Sequence, residues 1–434
     1  MIARPKGTGT DVVSDSRTSR GIMTQILFKN AKLLDPSQDE LQGGASVLVE
    51  GDSIREVSFK PIKVAKADVV DCGGRTLMPG LIDCHVHVFL SEVNIRYLEA
   101  LPLTMMTARG ADLALAMLDR GFTSVRDTGG ADWGMRDAIA QGFLRGPRLF
   151  IAGRAIGPTG GHSDARRRTD AGAACKCCNA MNFCLEVADG ADAVRAAARE
   201  QMRQGVDQIK IMVSGGVASP YDPLDSRQFS LDEIGAAVEE AEAFGRYVQA
   251  HAYTPEAIQR AVGKGVRTIE HGNLIDEKSA RLMKQKGAYM VANLVAYYAM
   301  KERAKEFGMS ADMLAKNDLV IDGGLRSLEI CKRAGVPVGY GSDLLGQLQV
   351  DQSREFILRR EVLKPIEIIR QATLVGAEIV RMKGKLGQIA PGALADMLVV
   401  DGDPIQKLEL LTGQGEHLSA IMKAGKFHKN RLAA

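Results

Sequence analysis

Four of the seven histidines in this 434-residue chain sit in short apolar runs: His85 and His87 in LIDCHVHV, His251 in YVQAHAY and His271 in RTIEHGN. The i, i+2 spacing of His85 and His87 sends both rings to one side of a strand. Two imidazoles side by side suit a metal ion, although so short a motif also arises by chance. His251 and His271 are twenty residues apart, about one strand–helix–strand repeat, which would bring two adjacent strand ends together. Two satisfied core histidines are the alternative. Asp343 in GYGSDLL follows Gly-Ser, an ordinary turn context. Lys210 is the unusual residue, a single charge inside the strand-like stretch DQIKIMVSGG. Alternation puts Ile209, Ile211 and Val213 on one face and Lys210, Met212 and Ser214 on the other.

The elements that must position these residues are legible as punctuation. Eight apolar runs start near residues 81, 122, 148, 208, 247, 267, 288 and 336, with helical stretches such as SLDEIGAAVEEAEAFG and TPEAIQRAVGKG between several of them. Thr254 as N-cap, Pro255 at the first helical position and Gly265 just past the end delimit one such helix. Strands alternating with helices imply parallel β/α units, and eight of them match a (β/α)8 TIM barrel with its reactive groups at the strand C-terminal ends. His85, His87, Lys210, His251, His271 and Asp343 then form a ring around one mouth. Turn-separated β runs after Thr24 read as a small antiparallel unit, and similar runs return in ADMLVVDGDP and SAIMKAGKFHKN. The expected organisation is a leader over 1–23, a small β-sandwich subdomain from 24–80 and 388–430, and the barrel over 81–387. The polar, aperiodic leader reads as disordered.

Barrel strands are buried on both faces, so Lys210 must leave through the mouth or be neutralised inside. A neutral Lys210 amine can capture carbon dioxide. The resulting carbamate is an anionic ligand able to bridge two metal ions about 3.5–4 Å apart. Desolvation favours the neutral amine this needs, and two cations favour the anionic product.

Composition argues for small-molecule chemistry. A net charge of +3 gives no field suited to nucleic acid or an anionic membrane. No run approaches the roughly 18 apolar residues of a membrane span, and a secretory signal is not evident, so a cytoplasmic protein is expected. The cluster Cys175, Cys177, Cys178 and Cys184 lacks paired C-x-x-C arms and reads as free thiols.

MPGLIDCHVHV, IKIMVSGG, AHAYTP, TIEHGN and GYGSDLLG, followed by LGQIAPGALADMLVVDGDP, resemble the amidohydrolase superfamily in its binuclear-metal, carboxylated-lysine branch. The resemblance covers nearly everything from Thr24 to Asn430. It implies that His85, His87, Lys210 and Asp343 hold one metal and that Lys210, His251 and His271 hold the other. More narrowly, GPTGGHSDARRRTD, the CKCC loop, GGVASP and GQGEH resemble cytoplasmic dipeptidases acting on Xaa-Pro or Xaa-Arg/Lys, with amidases of ochratoxin-like N-acyl phenylalanines as relatives. That likeness implies His162 near the substrate carboxylate and a homo-oligomer. Phe229 stands where the subgroup is expected to carry a tyrosine, leaving Tyr253 or Tyr221 to supply a hydroxyl. Arg166, Arg167 and Arg168 could attract an anionic substrate, a solvated basic loop being the plainer reading.

The activity expected is hydrolysis of an amide bond in a dipeptide or N-acyl amino acid. A hydroxide bridging two divalent metals would attack, with Asp343 as proton shuttle. Histidine-rich, oxygen-containing ligation favours zinc, and unprotonated imidazoles imply activity that falls in acid. A cyclic-amide hydrolase or deaminase of the same superfamily is the alternative, and a non-catalytic metal-binding scaffold a remote one.

Overall fold

In a computed structural model that describes residues 25–166, 168–169, 184–219 and 221–432, the strands from both chain ends hydrogen-bond into one sheet. The leader, Arg167, Cys175, Cys177 and Cys178 lie outside the described residues. The N-terminal strands are β1 (Gln25–Leu33), β2 (Gln42–Glu50), β3 (Ser53–Ser58), β4 (Asp68–Asp71) and β5 (Thr76–Pro79). Inward positions alternate along β1, where Ile26, Phe28, Ala31 and Leu33 are buried. They join a core of their own with Val47, Leu77, Met397 and Val399. The unit is mixed rather than antiparallel throughout, because β1 pairs in parallel with both β4 and β5.

The chain then enters the barrel with β6 (Leu81–Val86), β7 (Phe122–Asp127) and β8 (Arg148–Ile151). It continues through β9 (Ala155–Gly157), β10 (Leu185–Val187), β11 (Ile209–Met212), β12 (Val248–Ala252), β13 (Thr268–His271), β14 (Tyr289–Ala292) and β15 (Val338–Tyr340). All eight runs form parallel strands, and the third splits into β8 and β9. Gly153 makes that break at φ 65°, where a Cβ would lie 2.3 Å from Gln201 Oε1.

The ladders run β6-β7-β8 and β10-β9-β11-β12-β13-β14-β15. Backbone contacts join the two sets. Asp343 N donates to His85 O at 2.8 Å on one seam, and Asp207 N donates to Ile151 O at 2.8 Å on the other. Every residue of β6, β7, β11, β12 and β13 is buried, as expected for strands enclosed by side chains within and helices without.

The helices that matter for the site are α1 (Leu103–Asp119), α2 (Trp133–Ala140), α3 (Ala191–Arg203), α4 (Leu231–Ala243), α5 (Pro255–Gly263), α6 (Glu277–Lys286), α7 (Leu294–Glu302) and α8 (Ala311–Ala334). Thr254 caps α5, its side chain accepting from Ala257 N, and Ser230 with Glu233 forms a capping box on α4. No described helix is long and apolar enough to cross a membrane. The last strands, β16 (Met397–Val400), β17 (Leu418–Lys423) and β18 (Lys426–Asn430), return to the first sheet, with β16 antiparallel to β5.

Candidate metal centre

Asp343 sits three residues beyond β15 with a left-handed backbone, φ 53°, that turns its carboxylate back over the end of β6. There Oδ1 lies 3.1 Å from His85 Nε2 and 3.2 Å from His87 Nε2. These three side chains offer ligand atoms within 4.8 Å of one another. Burial pushes the Asp343 carboxyl up, but the charge of His85 and hydrogen bonds from His85 and His87 hold it well below the usual carboxylate range. Burial lowers the His87 ring as well, yet the same carboxylate leaves it raised overall.

The second half of the ring comes from neighbouring strands. Met212 pairs with His251 and Lys210 with Gln249, so Lys210 lies on the same face as His251, one pleat deeper. Glu270 pairs with His251 and shares that face too. Regular alternation would send His271 the other way. Its backbone leaves the strand at φ 75°, and its ring centroid lies 4.5 Å from that of His251 and 5.1 Å from that of His85. Left-handed backbone at two non-glycine residues of one site is the strain that active sites retain when the surroundings enforce it.

Each of the four rings has one nitrogen held by a group behind it. His87 Nδ1 is 2.9 Å from Gly129 O and His251 Nε2 is 2.9 Å from Gly215 O. A carbonyl only accepts, so those nitrogens carry a proton, with His87 Nε2 turned to Asp343 Oδ1 and Thr128 Oγ1. His85 Nδ1 is 2.8 Å from Glu270 Oε2. Burial pushes the Glu270 carboxyl up, but Arg126 and His85 hold it well below its usual value, so it also accepts. His271 Nδ1 is 3.0 Å from Tyr297 Oη. Burial lowers both His251 and His271 well below the usual imidazole range, which keeps these rings neutral.

This donor set fits divalent metal. His85 lies between two carboxylates, Glu270 and Asp343, and a neutral ring has a single N–H to divide between them. A cation against Nε2 and Oδ1 satisfies what one proton cannot. The other ring nitrogen bound to a carboxylate or carbonyl is the usual support of a metal-ligating histidine. Lys210 is buried and makes no hydrogen bond or ion pair among the described residues. Burial pushes its ammonium down to about 8, against the pull of Glu270 and Asp343. The neutral amine, the form that reacts with carbon dioxide, is therefore a minority species near neutral pH but far more populated than in an exposed lysine.

The outer residues divide. His162 stacks on His251 with centroids 4.4 Å apart, close to the ring, and its buried Nδ1 has no hydrogen-bond partner among the described residues, with Asp222 Oδ2 3.8 Å away. Gly216 makes room for it, since a Cβ there would lie 2.0 Å from His162 Cε1. Tyr253 packs its ring on His271 at 4.9 Å, but its hydroxyl lies 2.8 Å from Tyr297 Oη. Tyr221 is farther out, 40% exposed, with the Arg168 guanidinium over its ring. Phe229 is buried in the main apolar core. Arg166 pairs with Asp164 at 2.6 Å in a half-buried part of the loop rather than a solvated one.

Three participants escaped the sequence reading. Glu270 and Arg126 form a fully buried pair at 2.8 Å, with Thr268 Oγ1 donating to Glu270 at 2.6 Å. Both are charges in apolar strand runs, the same signal that singled out Lys210. Tyr297 lies on α7, and no spacing in the sequence aims it at the mouth.

A family model described as the amidohydrolase family matches residues 76–427. An ochratoxinase from Aspergillus niger is 30% identical over 414 residues, 92% of this chain and 86% of that protein. A crystal structure described as an amidohydrolase is 51% identical and superposes with a TM-score of 0.92 over 94% of this chain and all of the other. A prolidase solved in complex with N-methylphosphonate-L-proline is 46% identical, with a TM-score of 0.91 and the same coverage.

Proposed function

The chain belongs to the amidohydrolase family, and from that premise we propose that it hydrolyses the amide bond of dipeptides or N-acyl amino acids, releasing the C-terminal amino acid. The observation that carries this reading is the meeting, at one mouth, of four imidazoles each held from behind, an ionised aspartate and a buried lysine with no hydrogen bond or ion pair among the described residues. His85, His87, Asp343 and carboxylated Lys210 would hold one divalent ion, and carboxylated Lys210, His251 and His271 a second. Bound there, the ions, with zinc favoured by the donor set, would acidify a water molecule and polarise the scissile carbonyl.

The chain's own residues supply the rest. Asp343 is held ionised beside the rings of His85 and His87, so its carboxylate could take a proton from the attacking water and return it to the leaving amine. The neutral Lys210 Nζ forms an N–C bond to carbon dioxide and releases a proton, converting a buried cation into a buried ligand. His162, stacked over His251, would meet the substrate's C-terminal side. The likeness to a prolidase bound to a phosphonate of proline and to an ochratoxinase supports a substrate with a free C-terminal carboxylate.

The test is a library of dipeptides and N-acyl amino acids, varied at the C-terminal residue and presented to the zinc-loaded protein. Release of the free C-terminal amino acid from Pro, Arg/Lys or Phe-type members is expected. Ring opening or deamination in place of amide cleavage, with one metal per subunit, would contradict the proposal.

A further inference from the structure

Three of the four rings at the mouth are locked by groups that only accept: Glu270 for His85, Gly129 O for His87 and Gly215 O for His251. His271 Nδ1 is met instead by a tyrosine hydroxyl, which either donates or accepts. A second hydroxyl, that of Tyr253, completes a chain of His271 Nδ1, Tyr297 Oη and Tyr253 Oη with steps of 3.0 and 2.8 Å. Resting on the two-metal reading, we propose that Tyr297 is a positioning residue for the second half of the centre. Its hydroxyl accepts the Nδ1 proton of His271 and so leaves Nε2 bare to ligate, and Tyr253 accepts from Tyr297 in turn.

The chain of hydroxyls has two directions. Running from Tyr253 through Tyr297 toward His271, it delivers a proton to Nδ1's lone pair and forces the ring hydrogen onto Nε2, where no metal can bind. Running from His271 outward, it frees Nε2. A metal ion at that nitrogen selects the outward direction. Asp343 Oδ2 lies 3.6 Å from His271 Nδ1, outside hydrogen-bond distance, and Tyr253 and Tyr297 pack with Val217, Leu224 and Val320 in a buried apolar cluster. Without the Tyr297 oxygen, the Nδ1–H tautomer would leave a buried donor unpaired, and the ring would favour the non-ligating form. The left-handed backbone at His271 adds to the need for an anchor, because the strand ladder does not dictate where this ring points.

The test uses the full chain, stripped of metal by a chelator, supplied with bicarbonate and titrated with zinc against a chromophoric competitor. The wild-type protein should bind two equivalents. Tyr297→Phe, which deletes one oxygen, should bind the first equivalent as the wild type does and the second about 10–100-fold more weakly. Tyr253→Phe should weaken the second equivalent less, because Tyr297 can still accept from His271. An unchanged second affinity in Tyr297→Phe would overturn the inference. So would equal weakening of both equivalents, which marks the hydroxyl as general structural support. A wild-type protein that binds fewer than two equivalents would overturn the two-metal reading and this inference with it.

Discussion

The two halves of the mouth are built differently. In the first, Asp343 already lies within 3.2 Å of both His85 and His87, and the charged Arg126–Glu270 pair stands behind His85. In the second, His251 and His271 face each other beside a lysine with no hydrogen bond or ion pair among the described residues, and their supports are a backbone carbonyl and a tyrosine hydroxyl. The first half is an assembled cluster with a carboxylate between its two rings. On the proposed two-metal reading, the second half would gain negative charge only when Lys210 is carboxylated, so it would depend on carbon dioxide and on its own neutral supports. The difference teaches that, on that reading, Lys210 would join a preformed site to a conditional one.

Chelation should break both halves at once, with hydrolysis abolished and zinc restoring it, read as turnover of a cleaved dipeptide. Asp343→Asn attacks the first half and the proton transfer together. It should lower kcat by roughly 10²–10⁴-fold, measured under saturating zinc. Glu270→Gln sharpens the comparison from the supporting side. It keeps the shape behind His85, removes the charge facing Arg126, and should weaken the tighter zinc about 10–100-fold in a competition titration. The same variant should melt at a lower temperature, since Arg126 is left buried without its counter-charge. Gly216→Ala should have a smaller effect, confined to the substrate side. A methyl 2.0 Å from the His162 ring would push that ring off His251 and raise KM more than it lowers kcat, with zinc content unchanged.

Much of this arrangement was legible in the sequence for physical reasons. A lone lysine or histidine in an apolar run stands out because such runs are buried, and the repeat length of β/α units brings the strand ends to one rim. The break at Gly153 was not legible, since RLFIAGRAI reads as a single apolar run and only the packing of Gln201 against the glycine shows why it divides. The parallel pairing of β1 with β4 and β5 was hidden as well, because sequence neighbours suggest hairpins while long-range ladders depend on the whole fold. Arg126 and Glu270 carried the same signal as Lys210 and could have been found by it. Tyr297 could not, because the direction of a side chain on α7 depends on how that helix lies against the strands.

The central claim is that Lys210 serves both halves as a carboxylated ligand. Its most direct test is crystallographic density, with anomalous scattering at the zinc edge, for the zinc-loaded protein grown with bicarbonate. The account predicts an added carboxyl group on Lys210 Nζ lying between two zinc ions. An unmodified lysine in protein that holds its full zinc and turns over normally would contradict it.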